Sequence, residues 1–359
     1  MDHVTILKRA WNMVWRYRAL WIFGIILALT TTSGQATTLW RDGGGGRGQG
    51  VRITLSEDWS EEFDDQIRRE VEELNELFRG WDRSEVEARL IATAIGVLVV
   101  VFVLVVVGRI GFYVASTAVI RMVDEYEDTG ERCSVRQGFR LGWSRSAWRL
   151  FLIDLLVDLP VALAFIVLFA VSLSPLLLWT GRNETLGAIG TVAAVGLFFM
   201  VVFAAIVVGA ALSLLKRFFR RECVLGELGV GESIRRGYAL VRANLKDVGL
   251  MWLIMVGISL GYHILTIPIG LLLAGAGALA GGGAGLVVGR LAQAAFGAMW
   301  GWFAGGAVGV PIFLLIVVAP LAIVGGLWEV FRSSTWTLTY RELSALEKLK
   351  SGEQPEPEA

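Results

Sequence analysis

Histidine and cysteine are almost absent from this chain, and their scarcity excludes several kinds of chemistry. The 359 residues hold two histidines, His3 and His263, and two cysteines, Cys133 and Cys223. A histidine-based hydrolase is therefore not expected. The cysteines form no C-x-x-C pair and have no nearby histidine cluster, which excludes a structural zinc site of ordinary spacing. They read as reduced cytosolic thiols. The chain has no Walker A loop and no HExxH, so phosphate-loop and metalloprotease readings fail as well. No catalytic residue, metal or cofactor is expected, and the chain reads as a non-enzyme.

Charge is also scarce. Only 18% of residues are charged against 55% hydrophobic, and the mean hydropathy is +0.61. An ordinary soluble domain does not have this composition. With 33 basic and 33 acidic residues the net charge is zero, and no nucleic-acid partner is expected. Glycine (43) and tryptophan (14) are plentiful, as in packed transmembrane helices with interfacial anchors.

A span needs about 20 apolar residues. Six runs qualify, roughly 14–33, 90–112, 149–178, 186–215, 248–273 and 305–328. The first is the shortest, but no good small-residue cleavage site follows it, so it is read as a retained span rather than a signal peptide. The 274–289 stretch is too glycine-rich for a confident span. It reads as a close helix contact, a re-entrant piece or an outer loop, with 274–304 left open among these. Pro311 and Pro320, with Gly305, Gly306 and Gly309, resemble the breaks in transporter helices.

Flanking charge sets the orientation. Lys8, Arg9, Arg16 and Arg18 precede the first span. Lys216, Arg217, Arg220, Arg221, Arg235, Arg236, Arg242 and Lys246 crowd a loop expected after the fourth. From Glu57 to Arg89, by contrast, 13 acids face 5 bases. Positive charge stays inside, so both termini read as cytoplasmic and the acidic loop as outside. The division is 1–34, an interfacial helix and first span; 35–89, an extracytoplasmic Gly-rich linker and acidic amphipathic helix; 90–334, the membrane bundle; and 335–359, a cytoplasmic tail. In the outer loop, Trp59, Phe63, Ile67, Val71, Leu74, Phe78 and Trp81 recur at helical spacing opposite an acidic face.

One pattern occurs three times. Leu7-Lys8-Arg9-Ala10-Trp11, Val135-Arg136-Gln137-Gly138-Phe139 and Ile234-Arg235-Arg236-Gly237-Tyr238 each run apolar, basic, small, aromatic, shortly before an apolar run. Leu7/Trp11/Val14, Val135/Phe139/Gly142 and Ile234/Tyr238/Val241 share one helical face. Ser134 and Ser233 stand where N-caps are wanted. The expected fold is all-α: six transmembrane helices in three helix-hairpin pseudo-repeats, each preceded by a short basic interfacial helix. Arg9, Arg136, Arg235 and Arg236 are candidate contacts to lipid or a protein partner.

Charged groups within the spans are the best site candidates. Asp154 and Asp158, four residues apart, share a helix face about 9 and 15 Å below Trp148 at 1.5 Å per residue. Arg109 and His263 are the candidate partners, Arg109 matching Asp154 better in depth. The cluster is either a polar site on a substrate path or a device for helix packing. Asn183-Glu184-Thr185 matches a glycosylation triplet of low specificity.

With Glu222-Cys223-Val224-Leu225, Ser233-Ile234-Arg235-Arg236-Gly237-Tyr238 and Trp21-Ile22-Phe23-Gly24, the chain resembles six-span bacterial and archaeal membrane proteins. These are related to the membrane domain found beside some glycerophosphodiester phosphodiesterases. The resemblance implies an inner-membrane architecture and lends no catalytic residue, since nothing matches the phosphodiesterase barrel itself. The expected role is non-catalytic handling or transport of a lipid or small solute. The alternatives are a scaffold or subunit binding a protein partner, and a lipid-modifying enzyme; the oligomeric state is open. If the orientation is right, a membrane-impermeant thiol reagent should label Cys133 only when it is admitted to the cytoplasmic side. Labelling of intact cells from outside would overturn the topology.

Overall fold

A computed structural model describes residues 1–42, 83–180 and 184–351, which are helical throughout apart from short connections. In chain order these are α1 (His3–Arg16), α2 (Ala19–Asp42), α3 (Arg83–Thr129), α4 (Val135–Gly142), α5 (Arg145–Leu173) with a 3₁₀ turn at Ser174–Thr180, α6 (Glu184–Leu225), α7 (Val230–Ala243), α8 (Leu245–Phe296) and α9 (Ala298–Ser351). Among the described residues five helices are long and apolar enough to cross a membrane, or six spans if α1 and the start of α2, bent by 101°, count as one. The expected first run, 14–33, contains that bend at Tyr17–Arg18, so its straight part begins at Ala19. The Gly-rich linker, the acidic amphipathic helix at 56–81, the tail beyond Ser351 and Asn183 lie outside the described residues.

The chain divides into two compact units, Met1–Leu29 with Gly111–Ala359, and Thr30–Ile110. In the smaller unit the described side chains on α3, from Ile91 to Val107, point outward and, apart from Thr93, are apolar. In the larger unit the packed core lies at the ends of the apolar runs and on the flank beyond them. Its members include Ile6, Met13, Tyr17, Phe23, Met122, Leu150, Phe218, Leu240, Met251, Trp336 and Leu343. Within the apolar runs at most 11% of the residues are buried. The physical reason is the solvent. Lipid tails are as apolar as leucine, so packing two leucines together gains little inside a bilayer. On the flank, water is the alternative, and burying each large side chain contributes about 1.5–3 kcal/mol.

The last part of α9 belongs to that core. The segment set apart as a tail at 335 continues the helix to Ser351, and every residue from Ser334 to Tyr340 is buried. Its alternation of Thr335, Thr337 and Thr339 with Trp336, Leu338 and Tyr340 suits a strand by propensity. Packing overrides propensity, and each threonine hydroxyl donates to the carbonyl four residues back, at 2.8–2.9 Å.

The three short helices, α1, α4 and α7, lie against this core. Each buries the small residue of its motif, Ala10, Gly138 or Gly237, and α1 and α7 add Ile6, Met13, Val14, Leu240 and Val241. A Cβ added to Gly237 would come within 2.7 Å of Phe219, and one added to Gly138 within 2.7 Å of Phe23. The following aromatics, Trp11, Phe139 and Tyr238, stand 41–54% exposed. The packing face is thus offset by one residue from the aromatic face anticipated from sequence. A small side chain permits the closest backbone approach, so it sets the register. Ser134 caps α4 in a capping box with Gln137. Ser233 does not cap α7; Gly229 holds that position, and the Ser233 hydroxyl donates to its carbonyl at 2.8 Å. Asp2 caps α1.

Cys223 is fully buried, and Cys133 is partly so. Burial first, then a hydrogen bond to Glu125, pushes the Cys133 thiol above its ordinary value. Its thiolate fraction near neutrality is lowered accordingly, and labelling there speeds up as pH rises.

The 274–304 region is a tight helical hairpin. α8 and α9 are separated only by Gly297, whose φ of +94° is the left-handed conformation that favours glycine. Gly281, Gly285 and Gly289 face Gly309, Gly305 and Gly301; a Cβ on Gly285 would meet the Gly305 carbonyl oxygen at 2.8 Å, and one on Gly305 would meet that of Gly285 at 2.7 Å. α9 runs unbroken through Pro311 and Pro320, so two of the glycines that resembled a break serve close packing instead. Gly282 meets nothing within 4 Å. Gly285→Ala should therefore destabilise by about 1–3 kcal/mol through overpacking. Gly282→Ala should stabilise by roughly 0.5–1 kcal/mol by removing helical glycine. Thermal unfolding read by a dye that reacts with the buried Cys223 thiol measures both; equal effects would sink this account.

Candidate functional site

α6 does not end where its apolar run ends. It continues as a helix through Lys216-Arg217-Phe218-Phe219-Arg220-Arg221 to Leu225, which the sequence reading placed in a loop. At 3.6 residues per turn, Lys216 and Arg220 fall on one side and Arg217 and Arg221 on the adjacent one. Phe218 and Phe219, buried beside them, hold this part of the helix in the core.

The first pair faces α5. Arg220 donates to both oxygens of Asp154, Nε to Oδ1 at 3.3 Å and Nη2 to Oδ2 at 2.6 Å, and the Tyr113 hydroxyl donates to Oδ2 at 3.1 Å. One turn along, Lys216 Nζ donates to Asp158 at 2.7 and 3.0 Å. The i, i+4 spacing on both antiparallel helices makes a two-rung ladder. Asp154 is nearly buried, whereas the Asp158 side chain is 55% exposed. Both carboxylates stand opposite the first charged turns of α6, which places them at the end of an apolar run rather than deep within one. Pro160 is accommodated inside α5.

The second pair faces α9. The Arg217 guanidinium lies 4.8 Å over the ring of Trp336. Arg221, 5% exposed, donates to Thr337 Oγ1 at 3.2 Å, to the Ser333 carbonyl at 2.9 Å and to the Arg217 carbonyl at 2.6 Å. Among the described residues neither arginine has a carboxylate within ion-pair distance. Arg332, within electrostatic reach of both, is bound to Glu329 at 2.6 Å. A hydrogen-bonded cation without a counter-ion is the costly case in a protein interior.

The other expected residues lie elsewhere. Arg109 is exposed on α3 in the smaller unit. The cations that meet the two aspartates are Arg220 and Lys216. His263 is exposed on α8, edge-on to Tyr262 at 5.3 Å, with no hydrogen bond or ion pair among the described residues. Arg9 approaches Glu127 at 3.9 Å, and Arg236 pairs with Glu232 one turn away at 2.9 Å. Arg136 and Arg235 are exposed. An aromatic belt links α1, α2, α8 and α9: Trp11 with Phe331 at 6.0 Å, Trp15 with Trp21 at 6.0 Å, and Trp328 stacked on Tyr262 at 4.7 Å. No group of three or more potential metal ligands occurs among the described residues.

Sequence reading missed Arg217, Arg220, Arg221 and Arg332. The available signal was the match between Asp154/Asp158 and Lys216/Arg220, each four apart at the near end of its helix. Asp154→Asn should cost about 3–5 kcal/mol, because the Arg220 guanidinium would be left largely buried without its partner. Asp158→Asn should cost less than about 1 kcal/mol, as for an exposed pair. Thermal unfolding in detergent would separate the two, and equal losses would contradict the ladder's asymmetry.

No curated protein and no solved structure matches this chain. Residues 15–340 match the model of a family of unknown function, DUF7544. The match covers the ladder, the cation cluster and the core apart from the part contributed by α1 and Leu343, and the chain belongs to that family.

Proposed function

We propose that this is a six-span inner-membrane protein, both termini cytoplasmic, that handles a lipid without catalysing a reaction on it. The observation that carries the reading is the placement of two surfaces. Outward apolar side chains cover the long helices, and a cation cluster lies where the apolar run of α6 gives way to the packed core. A lipid molecule presents the complementary pair, acyl chains and a charged headgroup. This favours a lipid over a small solute as the molecule handled.

Three hairpin pseudo-repeats, α1–α3, α4–α6 and α7–α9, are the architecture we infer. In support, each of α1, α4 and α7 precedes a long apolar helix and buries the small residue of its motif against the core. Kinship with the membrane domain found beside glycerophosphodiester phosphodiesterases is part of the same reading, and lipid handling agrees with it. Asp154 and Asp158 then serve helix packing, with their charges matched by Arg220 and Lys216.

Reconstitution into vesicles tests the reading. The purified chain should speed the movement of a fluorescent phospholipid between leaflets, and the recovered lipid should be chemically unchanged. A chemically altered lipid would make the protein an enzyme. No acceleration over protein-free vesicles, with a protein partner recurring in native lipid discs, would make it a scaffold or subunit.

A further inference from the structure

We infer that Arg217, Arg221 and Arg332 form a site for the phosphate of an anionic lipid headgroup. The inference rests on the membrane reading above and identifies the class of lipid.

The argument starts from charge. Lys216 and Arg220 are neutralised by Asp158 and Asp154. Arg217, Arg221 and Arg332 repel one another, and among the described residues the acid that interacts with them is Glu329. Three guanidiniums against one carboxylate leave a local excess of two positive charges in partly desolvated surroundings. Arg221 is held in place by three oxygen acceptors, all uncharged. Arg217 is fixed over Trp336. Two oriented guanidiniums with spare donors suit a phosphate group, whose oxygens accept paired N–H bonds from arginine. The Arg332 side chain is 38% exposed, which leaves one side of the cluster open.

Position selects the source of the phosphate. Lys216 is the first charge after the apolar run of α6, and Glu329 and Arg332 follow the apolar run of α9. Trp328, Phe331 and Trp11 lie at the same level in the aromatic belt, which is headgroup chemistry. Just before that level α9 presents exposed Ile323 and Val324, an apolar surface on which acyl chains can lie. The excess positive charge favours a headgroup with net negative charge over a zwitterionic one.

The test is native mass spectrometry of the full chain in detergent, titrated with phosphatidylglycerol, with phosphatidylcholine, and with inorganic phosphate as competitor. Phosphatidylglycerol should be retained about tenfold better than phosphatidylcholine. Arg332→Gln and Arg217→Gln should each lower that retention about tenfold, the equivalent of about 1.4 kcal/mol. Arg217→Lys should keep part of it, and Arg132→Gln, which removes an exposed charge outside the cluster, should leave it unchanged. Arg332 is partly exposed, so its variant keeps the test valid if Arg217→Gln fails to fold. Equal retention of the two lipids would overturn the inference, as would variants that hold phosphatidylglycerol like the wild type. Displacement of the lipid by inorganic phosphate would mean a site for soluble anions, which also overturns it. The vesicle assay separates this from the broader reading. Lipid movement that persists in Arg332→Gln, with unchanged retention, removes the site and leaves the handling role. Specific retention without any lipid movement does the opposite.

Discussion

Desolvating Lys216, Arg217, Arg220 and Arg221 is the constraint on which the packed end of this protein depends. Four cations on two adjacent turns of α6 can enter a core only if their charges and donors are met there. Asp154 and Asp158 answer two of them from α5, with a geometry that only an antiparallel, in-register pair of helices provides. Ser333 and Thr337 on α9, together with the face of Trp336, answer the other two with uncharged groups. The two solutions differ in kind. Matched ion pairs lock two helices together, whereas hydrogen-bonded cations without counter-ions keep an affinity for anions.

The same division of labour runs through the rest of the larger unit. Apolar surface in the spans needs no protein partner, because lipid serves equally well. Water forces packing on the flank, and there the short helices come in through Ala10, Gly138 and Gly237. Close approach also governs the α8–α9 hairpin, where facing glycines bring two backbones into contact. Tyr17 and Trp21 make the α1–α2 corner by another route. The Tyr17 hydroxyl donates to the Cys133 carbonyl at 3.0 Å, and the Trp21 indole donates at 2.6 Å to the Val14 carbonyl, a group that the break in the helix frees.

Much of the helical architecture was legible from residues alone. Long apolar runs bounded by basic residues and tryptophan have few physical realisations, since only a helix satisfies its own backbone in lipid. Helix ends were less legible. Lys216–Arg221 reads as loop because cations mark the membrane boundary, yet a helix does not stop at that boundary unless its backbone is given another partner. The 274–289 stretch was ambiguous for a related reason. Glycine weakens an isolated helix, and only the facing glycines of 301–309 turn that weakness into a close contact. In the three short helices the motif was visible, but its buried face was offset by one residue, because the small residue permits the closest backbone approach and so leaves the following aromatic outside.

The sequence by itself determined the helical class, the apolar runs and the asymmetry of charge, because hydropathy and backbone hydrogen bonding in lipid act locally along the chain. It also set Asp154 and Asp158 four residues apart, and so on one face. Tertiary structure decided which cations they meet, which arginines remain without a counter-ion, and that Thr335–Tyr340 is core rather than tail. Those outcomes depend on which helices become neighbours and in what register, which pairwise desolvation and backbone approach across separate helices decide.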